Sequence, residues 1–193
     1  MGRCKEFDEN EVLRKAMELF WEKGYEKTSM NELVEHMEIH RKSLYDTFGD
    51  KRSLYLKAID LYGQNSVARL KAISPKGSTA TDTLRKIFDF MIAKNGDSTL
   101  GCFFVNAATE MAPCDPEVED KLKKAFQQAE DYLKEILQQG QDAGEFTRAY
   151  SAADLAELLH NAMLGIRVLA RISENKEKME RIADFFMTFL IKP

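Results

Sequence analysis

Long apolar runs are missing from this chain. No stretch of its 193 residues approaches the ~20 consecutive apolar residues a bilayer-spanning helix needs, so no membrane span is expected. The opening residues, MGRCKEFDENE, hold no apolar core of the kind a secretion signal carries. Cysteine is scarce and odd in number: Cys4, Cys102 and Cys114 fit neither a disulfide framework nor a zinc-ligand spacing. A reducing cytoplasm is the expected compartment. With four prolines, ten glycines and few alternating β-branched residues, the chain offers little material for strands, and an all-α fold is expected. Motifs of the common enzyme classes are absent as well: no G-x-S-x-G, no glycine-rich phosphate loop ending in lysine, no G-x-G-x-x-G and no H-E-x-x-H. Nothing points to catalysis, and no catalytic residue, cofactor or metal site is expected.

Of what is present, 44% is hydrophobic and 31% charged, enough to bury a core and unlike a disordered polymer. The net charge is −4, and residues 1–53 hold ten Lys/Arg against twelve Asp/Glu. Whole-chain attraction to a polyanion is therefore excluded, and only local clusters can face phosphate. The candidates are Arg3 and Lys5 on a basic arm over residues 1–7, then Lys27, Arg41 with Lys42, and Lys51 with Arg52.

The stretch Thr28–Phe48 organises the rest. Ser29 and Glu32 form an S-x-x-E capping box, in which hydroxyl and carboxylate each satisfy a backbone N–H at a helix start. Met30, Leu33 and Met37 follow at helical spacing. Glu38-Ile39-His40 is long enough only for a turn, and Arg41–Phe48 makes a second short helix. Leu44 and Phe48 face inward, which leaves Arg41, Lys42, Ser43, Tyr45 and Thr47 outward. Cations, hydroxyls and a phenol suit phosphate oxygens and base edges, so the pair is a helix-turn-helix candidate; the alternative is a plain helical hairpin with a solvated face. Before it, Asp8 caps a helix with Val12, Leu13, Ala16, Met17 and Phe20 on its apolar stripe, and Gly24 stops it. After it, Gly49-Asp50 breaks and re-caps the chain, placing the Lys51 ammonium at the positive end of a helix. His36 and His40 are four apart, but a turn separates them and no third ligand is near in sequence.

Residues Phe7–Tyr62 resemble the N-terminal domain of the TetR family of bacterial transcriptional regulators. The resemblance is carried by AMELF (Ala16–Phe20), Gly24-Tyr25, Thr28-Ser29 and SLYDTFGDKRSLY (Ser43–Tyr55). It implies an N-terminal three-helix DNA-binding domain over residues 1–55, with the helix-turn-helix at 29–48, and a C-terminal helical ligand-binding and dimerisation domain over 56–193. It places Arg41–Thr47 in the major groove, Thr28, Tyr45 and Lys51 at the DNA backbone, and Arg41, Lys42 and Ser43 at base edges, flanked by Ser29 and His40. It also implies double-stranded operator DNA as partner, a ligand-responsive repressor as function and a homodimer on a palindromic site. Two departures stand out. Glu38 replaces the turn glycine common in the family, at a cost of about 1 kcal/mol if its φ is positive, and His40 is a poorer cap than a small hydroxyl residue.

Beyond the resemblance, apolar periodicity places helices at about 81–94, 102–111, 116–139, 151–172 and 176–191, with loops at 74–78 and 95–101 and a turn over Gly140–Phe146. The last helix is apolar over a wider arc than its own core needs; the family's arrangement assigns the spare surface of the helices at 151–172 and 176–191 to a second copy. An effector pocket should be mostly apolar with a few polar groups, and Phe88, Met91, Phe104, Met111, Phe126, His160, Met163 and Arg167 are the candidates for an unknown small molecule. Two alternatives are carried forward: a helical small-molecule-binding or scaffolding protein without DNA binding, and a thiol-based redox or electrophile sensor through Cys102, which stands at a helix start.

Overall fold

The computed structural model describes residues 7–73, 77–93, 100–173 and 175–191, and the regular structure among them is helical. Its elements are α1 (Glu9–Lys23), α2 (Met30–Met37), α3 (Arg41–Phe48), α4 (Lys51–Ile73), α5 (Ala80–Ile92), α6 (Phe103–Glu110), α7 (Pro116–Asp142), α8 (Ala152–Ile172) and α9 (Lys176–Ile191). The expected basic arm, with Arg3, Cys4 and Lys5, and most of both expected loops lie outside the described residues. No described helix is long and apolar enough to cross a membrane.

Packing divides the chain into two compact units, Met1–Ser66 with Asn106–Leu122, and Val67–Val105 with Lys123–Pro193. α4 passes without a break through the division expected at 55/56. The smaller unit also takes in a segment from far downstream, which nothing in residues 1–55 announces.

In the smaller unit, Asp8 caps α1 by accepting the Asn10 N–H at 2.8 Å. The helix ends where Gly24 turns to φ 87° and returns its N–H to the Phe20 carbonyl at 2.8 Å. Apolar side chains from α1 (Ala16, Phe20, Trp21), α2 (Leu33, Met37), α3 (Leu44, Phe48) and α4 (Leu54, Tyr55, Ile59) are all buried. Each large one contributes roughly 1.5–3 kcal/mol against exposure. Aromatic rings lock α1 to α4: Phe20 meets Tyr55 edge-on at 5.0 Å, and Trp21 meets Tyr62 at 4.9 Å.

The larger unit is a bundle whose core joins α5 (Leu84, Ile87, Phe88), α7 (Leu133, Leu137), α8 (Leu159, Met163) and α9 (Met179, Met187). Thr79 and Ser151 cap α5 and α8, each accepting an N–H three residues on at 3.0 Å. α7 runs three residues further than the expected Gln139, to Asp142, and so takes in Gly140. The Phe146 ring folds back on Gly140, where a Cβ would stand 2.1 Å from Phe146 Cδ2. The turn expected over Gly140–Phe146 is made in the second half of that range, at Gly144, with φ 76°. On the outside, α8 leaves Leu158, Val168 and Ile172 exposed along one stripe, and α9 leaves Phe185 and Ile191 exposed.

Candidate nucleic-acid interface

α2 and α3 start and stop where local chemistry dictates. The Ser29 Oγ accepts the Glu32 N–H at 3.2 Å, and Glu32 Oε2 accepts the Ser29 N–H at 2.8 Å, completing the capping box. Lys23 Nζ also donates to Glu32 at 2.7 Å. That bond, followed by the Ser29 backbone N–H, holds the Glu32 carboxyl down to about 2. α2 closes on Glu38, a non-glycine residue at φ 57°, ψ 37°. The left-handed backbone costs about 1 kcal/mol; Lys15 Nζ donates to its carboxylate at 2.6 Å, so the charge it brings to the turn is matched from α1.

α3 buries Leu44 and Phe48 and exposes His40, Arg41, Lys42 and Tyr45; Ser43 and Thr47 are half-buried. His40 holds the cap position without a side-chain cap bond. Arg41 donates to Asn31 Oδ1 at 3.1 Å and stands 6.0 Å from the Tyr45 ring centroid, so its guanidinium is partly ordered before any ligand arrives. Asn31, on the exposed side of α2, is a residue that sequence reasoning passed over. Its place, ten residues from Arg41, follows only from the angle between α2 and α3.

Thr28 faces inward. It is fully buried, and its hydroxyl donates to the Gly24 carbonyl at 2.6 Å. Lys51 is half-buried, its ammonium 4.3 Å from the Tyr25 ring centroid. Its neighbour Arg52, counted with it in the sequence as one basic cluster, is committed within the protein. Nε and a terminal nitrogen donate to Asp115 at 2.6 and 2.9 Å, and the same terminal nitrogen donates to Glu117 at 2.9 Å. These carboxylates push the guanidinium pKa up, and Arg52 in turn holds the Asp115 carboxyl below its ordinary range. A third carboxylate of the same segment, Glu110, accepts the N–H groups of Tyr25 and Glu26, both at 2.9 Å. Partners 63 to 85 residues apart leave no periodic trace in a sequence.

The eight effector candidates separate. Phe88 and Met163 belong to the core of the larger unit and Met91 packs against it; Met111 falls in the smaller unit. Phe104, Phe126 and His160 do come together, with Phe126 edge-on to Phe104 at 6.2 Å and to His160 at 5.5 Å. His160 Nδ1 lies 3.0 Å from Glu130 Oε1. Both phenylalanines are half-buried while His160 is buried. Arg167 donates to the Gly101 carbonyl, next to the half-buried Cys102. A separate cavity of about 210 Å³ between α5 and α9 takes Phe88 into an apolar floor under Arg85, Asp89, Glu180 and Asp184.

Comparison with known proteins bears on both units. Residues 12–58 match the family model described as bacterial regulatory proteins, tetR family, and residues 80–186 match the tetracyclin repressor-like C-terminal domain. The HTH-type transcriptional regulator YezE of Bacillus subtilis (strain 168) is 32% identical, over 98% of this chain and 100% of its own. The HTH-type transcriptional repressor ComR of Escherichia coli (strain K12) is 33% identical, over 94% of this chain and 88% of its own. Among solved structures, a cysteine-substituted TetR family regulator, CifR, complexed with 26-base-pair double-stranded operator DNA has a TM-score of 0.82 at 26% identity, covering 98% of this chain and 100% of that one.

Proposed function

This chain belongs to the TetR family of bacterial transcriptional regulators, and we propose that two copies of it place their α3 helices in successive major grooves of a palindromic operator and repress transcription there. The observation that carries this is α3 itself: it hides Leu44 and Phe48 and shows Arg41, Lys42 and Tyr45 to solvent. Arg41, Lys42 and Ser43 read base edges. Tyr45, Thr47, Lys51, Ser29 and His40 contact the phosphate backbone, where they fix register without carrying sequence information. Thr28 serves from the interior by bracing the loop before α2. The apolar stripes of α8 and α9 join the two copies, since operator half-sites about 34 Å apart, or a multiple of that, need two recognition helices held at one spacing. Repression in ComR and operator binding by CifR, as their names record, are consistent with this assignment. A small, largely apolar effector engages the larger unit, with Phe104, Phe126 and His160 the best-grouped of the candidate residues, and releases the DNA. The protein works in the cytoplasm.

The test is binding of the purified protein to the promoter region beside its own gene, across salt concentrations. Tight binding that weakens steeply as salt rises, and that a scrambled duplex of equal length does not reproduce, is the expected result. Equal, weak binding to both duplexes at low salt would instead favour a helical scaffold without DNA recognition.

A further inference from the structure

Two adjacent cations open α4, and the downstream segment treats them differently. Arg52 is taken directly by Asp115 and Glu117. Lys51 is reached through an intermediary. Its ammonium rests on the face of Tyr25, whose ring is wedged between Phe20, 6.1 Å away, and Tyr55, 4.9 Å away. The Tyr25 backbone is gripped from two sides. Glu110 accepts its N–H and that of Glu26, a charge-assisted pair stronger than two neutral bonds. Thr28 returns its own N–H to the Tyr25 carbonyl at 3.2 Å. Gly24 shows how closely this grip is fitted. It needs glycine for its φ of 87°, and a Cβ there would also stand 2.9 Å from Glu110 Oε2. The carboxylate occupies the space a side chain would have filled.

We propose that the segment 106–122 sorts these two cations for DNA binding: Glu110, acting through Tyr25, presents Lys51 to phosphate, while Asp115 and Glu117 withhold Arg52. Glu110 is thus a positioning residue for the DNA contact, and the phosphate-facing charge of α4 is set at one lysine by residues far downstream. The inference rests on the DNA-binding reading above, and its test separates the two.

The experiment measures the affinity of the full-length protein for the duplex from its own promoter region at 50 to 200 mM salt. Each phosphate contact contributes about 0.9 to the slope of log affinity against log salt. Glu110→Ala removes one contact from each of the two copies on the operator and should lower the slope by about twice that amount, so that the affinity lost across this range shrinks by about tenfold. Lys51→Ala should do the same, and the double variant should do no more than either alone. A variant that is merely less folded has a smaller active fraction at an unchanged slope. If Glu110→Ala does not fold, Glu110→Gln decides: it keeps the shape and loses one of the two acceptors, and its slope should fall in the same direction. Conversely, Asp115→Asn with Glu117→Gln frees Arg52 and should steepen the slope. Slopes equal to wild type in the Glu110 variants, or additive losses with Lys51→Ala, overturn the positioning role. An unchanged slope in the Asp115/Glu117 variant overturns the withholding of Arg52. Failure of the wild type to bind the duplex at all would instead defeat the functional reading itself.

Discussion

Two surfaces of this protein carry side chains that its own core does not use, and their chemistry is opposite. On α3, Arg41, Lys42 and Tyr45 stand out above buried Leu44 and Phe48. On α8 and α9 the exposed residues include Ile172, 75% accessible, and Phe185, 70% accessible. A polar, cationic surface gains from a polyanion and loses that gain to salt. An apolar surface gains from another apolar surface, almost independently of salt. The contrast teaches that recognition and pairing are driven by separable forces, so each can be removed while the other is watched.

The largest effect should come from the apolar surface. Phe185→Glu leaves the protomer's core untouched, because the ring is largely exposed. It removes two buried phenylalanines from a symmetric dimer, on the order of 3 kcal/mol or more, or over ~100-fold in the dimer dissociation constant. Sedimentation equilibrium at low and high salt checks this. An unchanged dimer would move the pairing surface away from α9, and strong salt dependence would break the contrast. Next is Arg41→Ala on the other surface. It should erase about 1–3 kcal/mol of discrimination between matched and altered half-sites with no change in oligomeric state; a preserved base preference removes Arg41 from the reading set.

The smallest effect concerns the start of α2. The Glu32 carboxyl titrates at about 2 instead of its ordinary 4.5 because of Lys23 and the Ser29 backbone. A carboxylate whose pKa is depressed by folding stabilises the folded state above its unfolded pKa, and that contribution disappears as pH falls through the folded value. Glu32→Gln should therefore be less stable than wild type at pH 7, with the difference closing between pH 4.5 and 2. Chemical denaturation followed by circular dichroism at several pH values reads this directly. A difference that persists at pH 2 would assign the effect to packing.

What was legible in the sequence was local. Ser29 and Glu32 are three apart, so the start of α2 and the capping box could be read with their bonding pattern, and Arg41–Phe48 emerged at both ends. Glu38 was recognisable as a misfit because a turn glycine is a conformational requirement, and the structure shows it left-handed. Misreadings arose wherever a residue's reason for being there is tertiary. The turn over Gly140–Phe146 is where the sequence sets it, but Gly140 itself is helical and forms the floor beneath Phe146, a tertiary reason for glycine. Thr28, expected at the DNA backbone, is buried with its hydroxyl turned to the Gly24 carbonyl. Arg52 looked like half of a basic pair and is instead neutralised by carboxylates 63 and 65 residues away. The effector candidates were the least legible group, because pocket walls and core fillers share one apolar vocabulary: Phe104, Phe126 and His160 stand side by side, while Phe88, Met91 and Met163 gather in the core.

The most direct test is a phosphate-ethylation interference map on the promoter duplex. Two clusters of interfering phosphates, related by a dyad and centred a whole number of helical turns apart, are expected from a paired set of α3 helices, with Lys51→Ala removing one symmetric phosphate from each cluster. A single unsymmetrical cluster, or a map that Lys51→Ala leaves unchanged, would contradict a symmetric pair of recognition helices anchored through α4.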